Sequence, residues 1–140
     1  VTYANAGHCR PALIGPKKVE IVPYSDMILG LDPGAEYTDT TIEIQPGSAL
    51  VSYTDGLLEQ PMASGEQLGE AGVLEAVRHA HGSPQPVDSL VEHVLDISQR
   101  RTFGDDILLF WLQRDADREP AALRSGPRWF SPFAEAQSSI

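Results

Sequence analysis

Hydrophobic periodicity changes twice along this chain, and those changes fix the order in which strands and helices can occur. The first sixty residues carry period-two or short extended patterns. Thr41-Ile42-Glu43-Ile44 alternates polar with apolar, as a strand with one wet face does. Ala49, Val51 and Tyr53 share one face of a further strand that ends at Thr54-Asp55-Gly56. Val1–Asn5 and Ala12–Ile14 read as short strands around Gly7, and residues 15–18 read as a turn into a strand over Val19–Val22. Pro46-Gly47 supplies the turn between the last two strands. The period then becomes helical. Val73, Leu74, Val77 and Ala80 form one stripe, stopped by Gly82-Ser83-Pro84. Val87, Leu90, Val91, Val94 and Leu95 form a second, opened by Pro86 and Asp88. Finally Ile107–Leu112 is apolar without interruption, which predicts a strand buried on both faces. An antiparallel meander followed by helices and a closing strand is an α+β arrangement and not a doubly wound sheet.

Composition narrows the function classes. Hydrophobic residues make up 41% and charged residues 21% of the 140, which argues against wholesale disorder. The formal net charge of −10 repels a phosphate backbone, so no nucleic-acid partner is expected. The longest strongly apolar run is far too short for a membrane span, so no membrane partner is expected. Cys9 is the single cysteine, which suits a reducing cytoplasm. The sequence opens Val-Thr-Tyr with no initiator Met, and it is expected to be part of a longer chain. Residues 1–113 read as the folded part. Residues 114–140, where periodicity gives way to Pro, Arg, Ser and Ala, read as a disordered tail in which Trp129, Phe130 and Phe133 are candidates for docking.

Charge is distributed more informatively than it sums. Between Val19 and Val77 there are eleven acidic residues and no Lys or Arg. A solvated acidic face accounts for that by itself. Asp55, however, closes a strand just before Gly56, where glycine lets the backbone turn sharply away, while Asp105 and Asp106 open one. If those two strands run antiparallel side by side, the carboxylates meet at one end of the sheet. Adjacent carboxylates at the mouth of an apolar strand call for solvent or a cation. The candidate ligands are all oxygen, so the site suits Mg²⁺ or Mn²⁺. The competing account is local: Asp55-Gly56 is a common turn pair and Asp105 can cap a loop. The histidines carry less. His79 and His81 complement the C-terminal dipole of the first helix, and His93 is expected to face water. His8-Cys9 has no second pair with which to build a zinc site.

Taken in order, Tyr3-Ala4-Asn5-Ala6-Gly7-His8, Ile28-Leu29-Gly30-Leu31, the segment from Gln45 to Glu59 containing Tyr53-Thr54-Asp55-Gly56, and Asp105-Asp106 before a hydrophobic strand resemble the metal-dependent PPM-type (protein phosphatase 2C-like) serine/threonine phosphatases. Within them the match is to the bacterial SpoIIE/RsbU branch, over about Val1 to Leu112. The resemblance implies a sandwich of antiparallel sheets flanked by helices, here lacking its first strands and helices. It implies hydrolysis of phosphoserine or phosphothreonine on a protein, commonly an anti-sigma-factor antagonist. Two Mn²⁺ or Mg²⁺ ions would activate a water for in-line attack, with no catalytic side chain required beyond the metal ligands. By motif, Asp55 and Asp105 carry over as ligands. Asp106 either joins them, orients Asp105 or holds water, and Gly7, His8 and Gly56 lie near the site.

Two departures qualify this. Leu108 stands where the family usually has Thr, and the carboxylates the family draws from an upstream half are absent from these residues. Two acids are too few for two octahedral ions, so the chain by itself is expected to be inactive. A truncated or inactive phosphatase-like scaffold that binds protein partners is therefore the alternative reading, and a plain acidic structural domain a third.

Overall fold

A computed structural model describes residues 1–23 and 25–116, and the expected tail lies outside them beyond Ala116. Its strands are β1 (Thr2–Tyr3), β2 (Ala12–Ile14), β3 (Val19–Ile21), β4 (Thr40–Thr41), β5 (Ala49–Tyr53) and β6 (Leu109–Gln113). The helices α1 (Asp55–Leu58), α2 (Gly69–Ala80) and α3 (Pro86–Ser98) lie between β5 and β6.

The main sheet has the order β3-β2-β5-β6 and is antiparallel throughout. Gly15 N–H donates to the Lys18 carbonyl at 2.9 Å to close the β2–β3 turn where it is expected. Five residues of β5 pair with five of β6, from Ala49 opposite Gln113 to Tyr53 opposite Leu109. The ladder runs on past both ends. Gly47 N–H bonds the Arg114 carbonyl at one end, and Thr54 N–H bonds the Leu108 carbonyl at the other. Arg114, assigned to the tail by its sequence, is thus tied into the sheet margin.

One face of the sheet is well covered. Ala49, Val51 and Tyr53 point to it together with Ala12 and Ile14, and all five are buried. Against them pack Val73, Ala76, Val77 and Ala80 of α2 and Leu90 and Val94 of α3, the stripes anticipated from the 3.6-residue period. Neither helix has a side-chain N-cap. Burial of its stripe, at roughly 1.5–3 kcal/mol per large aliphatic side chain, is therefore what holds each in place.

The opposite face is covered in part. β1 and β4 pair as a second, two-stranded sheet, and Tyr3 and Ile42 pack on a small cluster of Val22, Ile44 and Leu50, with Leu13 beside them. Of the anticipated Thr41–Ile44 strand only Thr41 enters the ladder, joined there by Thr40, although Ile42 and Ile44 do point inward as their alternation requires. This second layer stops short of β6. Leu108, Phe110 and Leu112 are 63, 55 and 38% exposed. The prediction of a strand buried on both faces is therefore wrong within the described residues: β6 is an edge strand, with Leu109 and Trp111 packed on the core and the alternate residues bare. No helix among the described residues is long and apolar enough to cross a membrane.

Candidate metal centre

The β5–β6 ladder decides whether the candidate acids share a place. Because Tyr53 lies opposite Leu109 in an antiparallel pair, the chain leaving β5 and the chain entering β6 are at the same end of the sheet. The segment that carries Asp55 therefore leaves the sheet at the end where the segment that carries Asp105 and Asp106 enters it. The closest approach is through the backbone: a Cβ built on Gly56 would fall 2.5 Å from the Asp106 carbonyl oxygen. This corrects the reason for glycine at that position. Gly56 lies within α1, away from the positive-φ glycines, and what it provides is room for the Asp105–Asp106 segment.

Local hydrogen bonds fix the two acidic segments. Asp55 Oδ1 accepts from the Gly56 N–H at 3.0 Å, and Asp105 Oδ1 accepts from the Asp106 N–H at 2.7 Å. All three carboxylate residues are exposed. Thr54 ties the segments together, its Oγ1 accepting from Leu108 N–H at 3.0 Å while its own N–H bonds the Leu108 carbonyl at 3.2 Å. Leu108, the departure from the family's Thr, meets Thr54 through its main chain and points its side chain to the bare face.

The sequence reading missed Gln60. It is 1% exposed, its Oε1 accepts from Gly104 N–H at 3.0 Å, and its Nε2 donates to Ser98 Oγ at 3.3 Å. One buried amide thus locks the loop before Asp105 to the end of α3. A glutamine two positions after the apolar Leu57-Leu58 pair was the available signal.

Gly7 and His8 belong to a turn at the same end of the core. Asn5 forms it, its Oδ1 accepting from His8 N–H at 2.8 Å and its Nδ2 donating to the His8 carbonyl at 3.0 Å. Gly7 has φ +82° and Ile28 lies so close that any Cβ would collide with it. The next residue, Cys9, reports the neighbourhood of Asp55: burial raises its thiol pKa first, and the negative charge of Asp55 raises it further. Tyr53, fully buried under this corner with an unpartnered hydroxyl, also has its pKa pushed well up, mainly by burial and then by Glu70. Arg10 bonds Glu70 at 2.5 Å and brings a cation to the otherwise acidic stretch.

The other histidines lie elsewhere. His81 Nε2 is 2.8 Å from the Gly47 carbonyl, linking α2 to the turn before β5. His93 does not face water as expected. Its ring stacks on that of His79 with centroids 4.0 Å apart, and its Nε2 is buried without a hydrogen-bond partner.

These donors suit a hard cation in kind, being exposed carboxylates on stiff segments. They do not suffice in number. Among the described residues no group of three or more His, Cys, Asp or Glu comes together in a way that could hold a metal ion. By themselves three carboxylates are too few to fill the shell of even one octahedral ion.

The family sequence model for stage II sporulation protein E (SpoIIE) matches residues 1–115. No curated protein sequence matches. Among solved structures, the SiaA-PP2C domain of Pseudomonas aeruginosa aligns with TM-score 0.62 and 19% identity, over 76% of this chain and 43% of that one. The RsbU and RsbW domains of a Mycobacterium tuberculosis protein align with TM-score 0.57 and 32% identity, over 84% of this chain and 33% of that one. The Mn-presoaked phosphatase domain of SpoIIE from Bacillus subtilis aligns with TM-score 0.58 and 19% identity, over 84% and 52%. The chain thus spans about half, or less, of the structures it matches. The expected α+β architecture of antiparallel sheets and helices is the one observed, and the chain belongs to the SpoIIE family.

Proposed function

We propose that this chain is the carboxy-terminal part of a metal-dependent protein phosphatase domain that removes phosphate from phosphoserine or phosphothreonine on a protein. The observation that carries the reading is that the segment bearing Asp55 leaves β5 at the end of the ladder where the Asp105–Asp106 segment enters β6, with Gly56 against the Asp106 backbone, in a chain of the SpoIIE family. Asp55 and Asp105 are the proposed ligands for Mn²⁺ or Mg²⁺, with Asp106 as a further ligand or as the group that orients Asp105. Gly56, Gly7 and His8 line the neighbourhood. The remaining ligands of a two-ion site come from residues upstream of this chain. When bound, such ions supply the Lewis acidity that activates water at neutral pH. What these residues contribute is placement: Gly56 admits the Asp106 backbone, Gln60 holds Gly104, and Thr54 holds Leu108. The proposed substrate is an anti-sigma-factor antagonist or a similar regulator in the cytoplasm, by likeness to the RsbU branch.

The test joins this chain to its upstream coding sequence and measures Mn²⁺-dependent phosphate release from a phosphoserine protein. Asp55→Asn with Asp105→Asn should remove that activity, and activity surviving the double change would refute the site.

A second reading, an inactive scaffold that binds partners, is favoured by the shortage of ligands among the described residues and by Leu108. Calorimetric titration of the extended chain with Mn²⁺ separates the two. Heat that disappears with Asp55→Asn supports the enzyme, and no heat at all supports the scaffold.

A further inference from the structure

A second unusual surface lies on the loop between β3 and β4. Met27, Ile28, Leu29 and Leu31 are four large apolar residues within five positions, and all are exposed. Leu29, at 73%, is the most exposed of the large hydrophobic residues described. They form a bent tip in which Leu31 N–H reaches the Ile28 carbonyl at 3.4 Å and Gly30 turns with φ +87° into open space.

The base of the tip is held firmly. Asp26 pairs with Ala6 in a parallel bridge, and its N–H bonds the Asn5 carbonyl at 2.8 Å. Its Oδ2 accepts from Thr38 N–H at 2.7 Å, closing the loop across its neck. Ile28 is seated on Gly7. The tip is therefore fastened to the Asn5–His8 turn, whose next residue, Cys9, senses the charge of Asp55. It is also distinct from the bare face of β6, which belongs to the sheet.

Charge limits what can cover it. Asp26, Asp32, Glu36 and Asp39 flank the tip, and no Lys or Arg occurs from Val19 to Val77. A partner must offer apolar side chains together with positive charge, since a second acidic copy of this surface would be repelled.

We infer that residues 27–31 are a docking element for the phosphoprotein substrate, gripping apolar and basic residues next to its phosphorylated serine or threonine. This rests on the phosphatase reading and adds the substrate class to it. Binding energy from groups remote from the reacting phosphate would then raise the effective affinity for the protein substrate and leave small phosphoesters unaffected.

The experiment uses the polypeptide extended by its upstream sequence and three substrates. These are p-nitrophenyl phosphate, a phosphoserine peptide flanked by Leu, Val, Lys and Arg, and one of equal length flanked by Ser, Gly and Glu. The unaltered protein should prefer the apolar-basic peptide in kcat/KM. Leu29→Ser with Leu31→Ser should remove about ten-fold of that preference, the scale of burying one large aliphatic side chain, chiefly through KM. Hydrolysis of p-nitrophenyl phosphate should be unchanged, and Leu29→Met with Leu31→Met should retain the preference. No preference in the unaltered protein, a preference that survives the serine variant, or an equal fall on all three substrates would overturn the docking role. An unaltered protein inert toward all three would overturn the phosphatase reading itself.

Discussion

The two faces of the four-stranded sheet are built from the same strands and differ in what they meet. On the helix side, Ala12, Ala49, Val51, Tyr53, Val73, Val77, Leu90 and Val94 are buried together. On the other, two short strands shelter Leu13, Leu50 and Ile44, while Leu108, Phe110 and Leu112 are bare. A single chain thus carries one finished interface and one unfinished one. The candidate acids lie at the end of the sheet where β5 finishes and β6 begins. Exposed apolar residues aligned on an edge strand are an invitation to association. In similar structures of which this chain covers 43 and 52%, there is more chain available to cover such a face.

The sharpest way to break this contrast is to truncate one residue on each side, in the protein extended upstream. Leu57 is completely buried in α1, directly after Asp55 and Gly56. Leu57→Ala should lower stability by about 2–5 kcal/mol, read from the denaturant midpoint. Phe110→Ser tests the bare face. If Phe110 is exposed in the longer protein as well, its change should stay within about 0.5 kcal/mol. A loss comparable to that of Leu57→Ala would show that the upstream residues complete the sheet sandwich over β6.

Gly56→Ala should rank next. The added methyl would meet a main-chain carbonyl at 2.5 Å, and a backbone oxygen cannot rotate away as a side chain can. A loss of about 1–3 kcal/mol follows from overpacking. Displacing the Asp105–Asp106 segment should also weaken Mn²⁺ binding by about 10- to 100-fold, the scale of disturbing a ligand's supporting contacts. Unchanged affinity in calorimetry would mean that Asp105 and Asp55 do not act on one ion.

What the sequence revealed follows the same division. The stripes of α2 and α3 were legible because helical period and burial coincide on the finished face. That the Asp55 and Asp105 segments share one end of the ladder was legible because it needs only the antiparallel pairing of two recognisable strands. The burial of Ile107–Leu112 was misjudged because uniform hydrophobicity hides the alternation: Leu109 and Leu108 look alike in sequence and differ only in what lies opposite. Gln60 and the stacked His79 and His93 escaped for a related reason. Their partners, Gly104 and Ser98 for the first and each other for the second, are brought close by tertiary packing across many residues.

A smaller effect is expected at Thr54, whose hydroxyl accepts from Leu108 N–H next to the ladder's last pair. Thr54→Val keeps the shape and removes the acceptor. The expected loss is about 1 kcal/mol, near the net worth of one hydrogen bond, and faster amide exchange at Leu108 should accompany it. Exchange at Tyr53 should be unaffected if the covered face alone holds β5.

The least change at neutral pH should come from Tyr53, and its signature appears only in alkali. Its hydroxyl is buried without a partner, so Tyr53→Phe removes an unsatisfied group and little packing. Stability near pH 7 should therefore hold or rise slightly. Burial, then the charge of Glu70, raises the phenol pKa from its ordinary value of 10.0. The unfolded chain releases this proton as pH passes 10 while the folded chain retains it, so the unfolded state binds fewer protons and stability falls as pH climbs. The slope attributable to this one group approaches about 1.4 kcal/mol per pH unit above 10. Thermal melts of the two proteins between pH 8 and pH 11 should thus run parallel at first and separate above pH 10, with the Phe variant the more stable (both pH limits lying about the phenol's ordinary range). Curves that stay parallel throughout would place the Tyr53 hydroxyl in contact with water, and the covered face would then be less completely closed than its packing indicates.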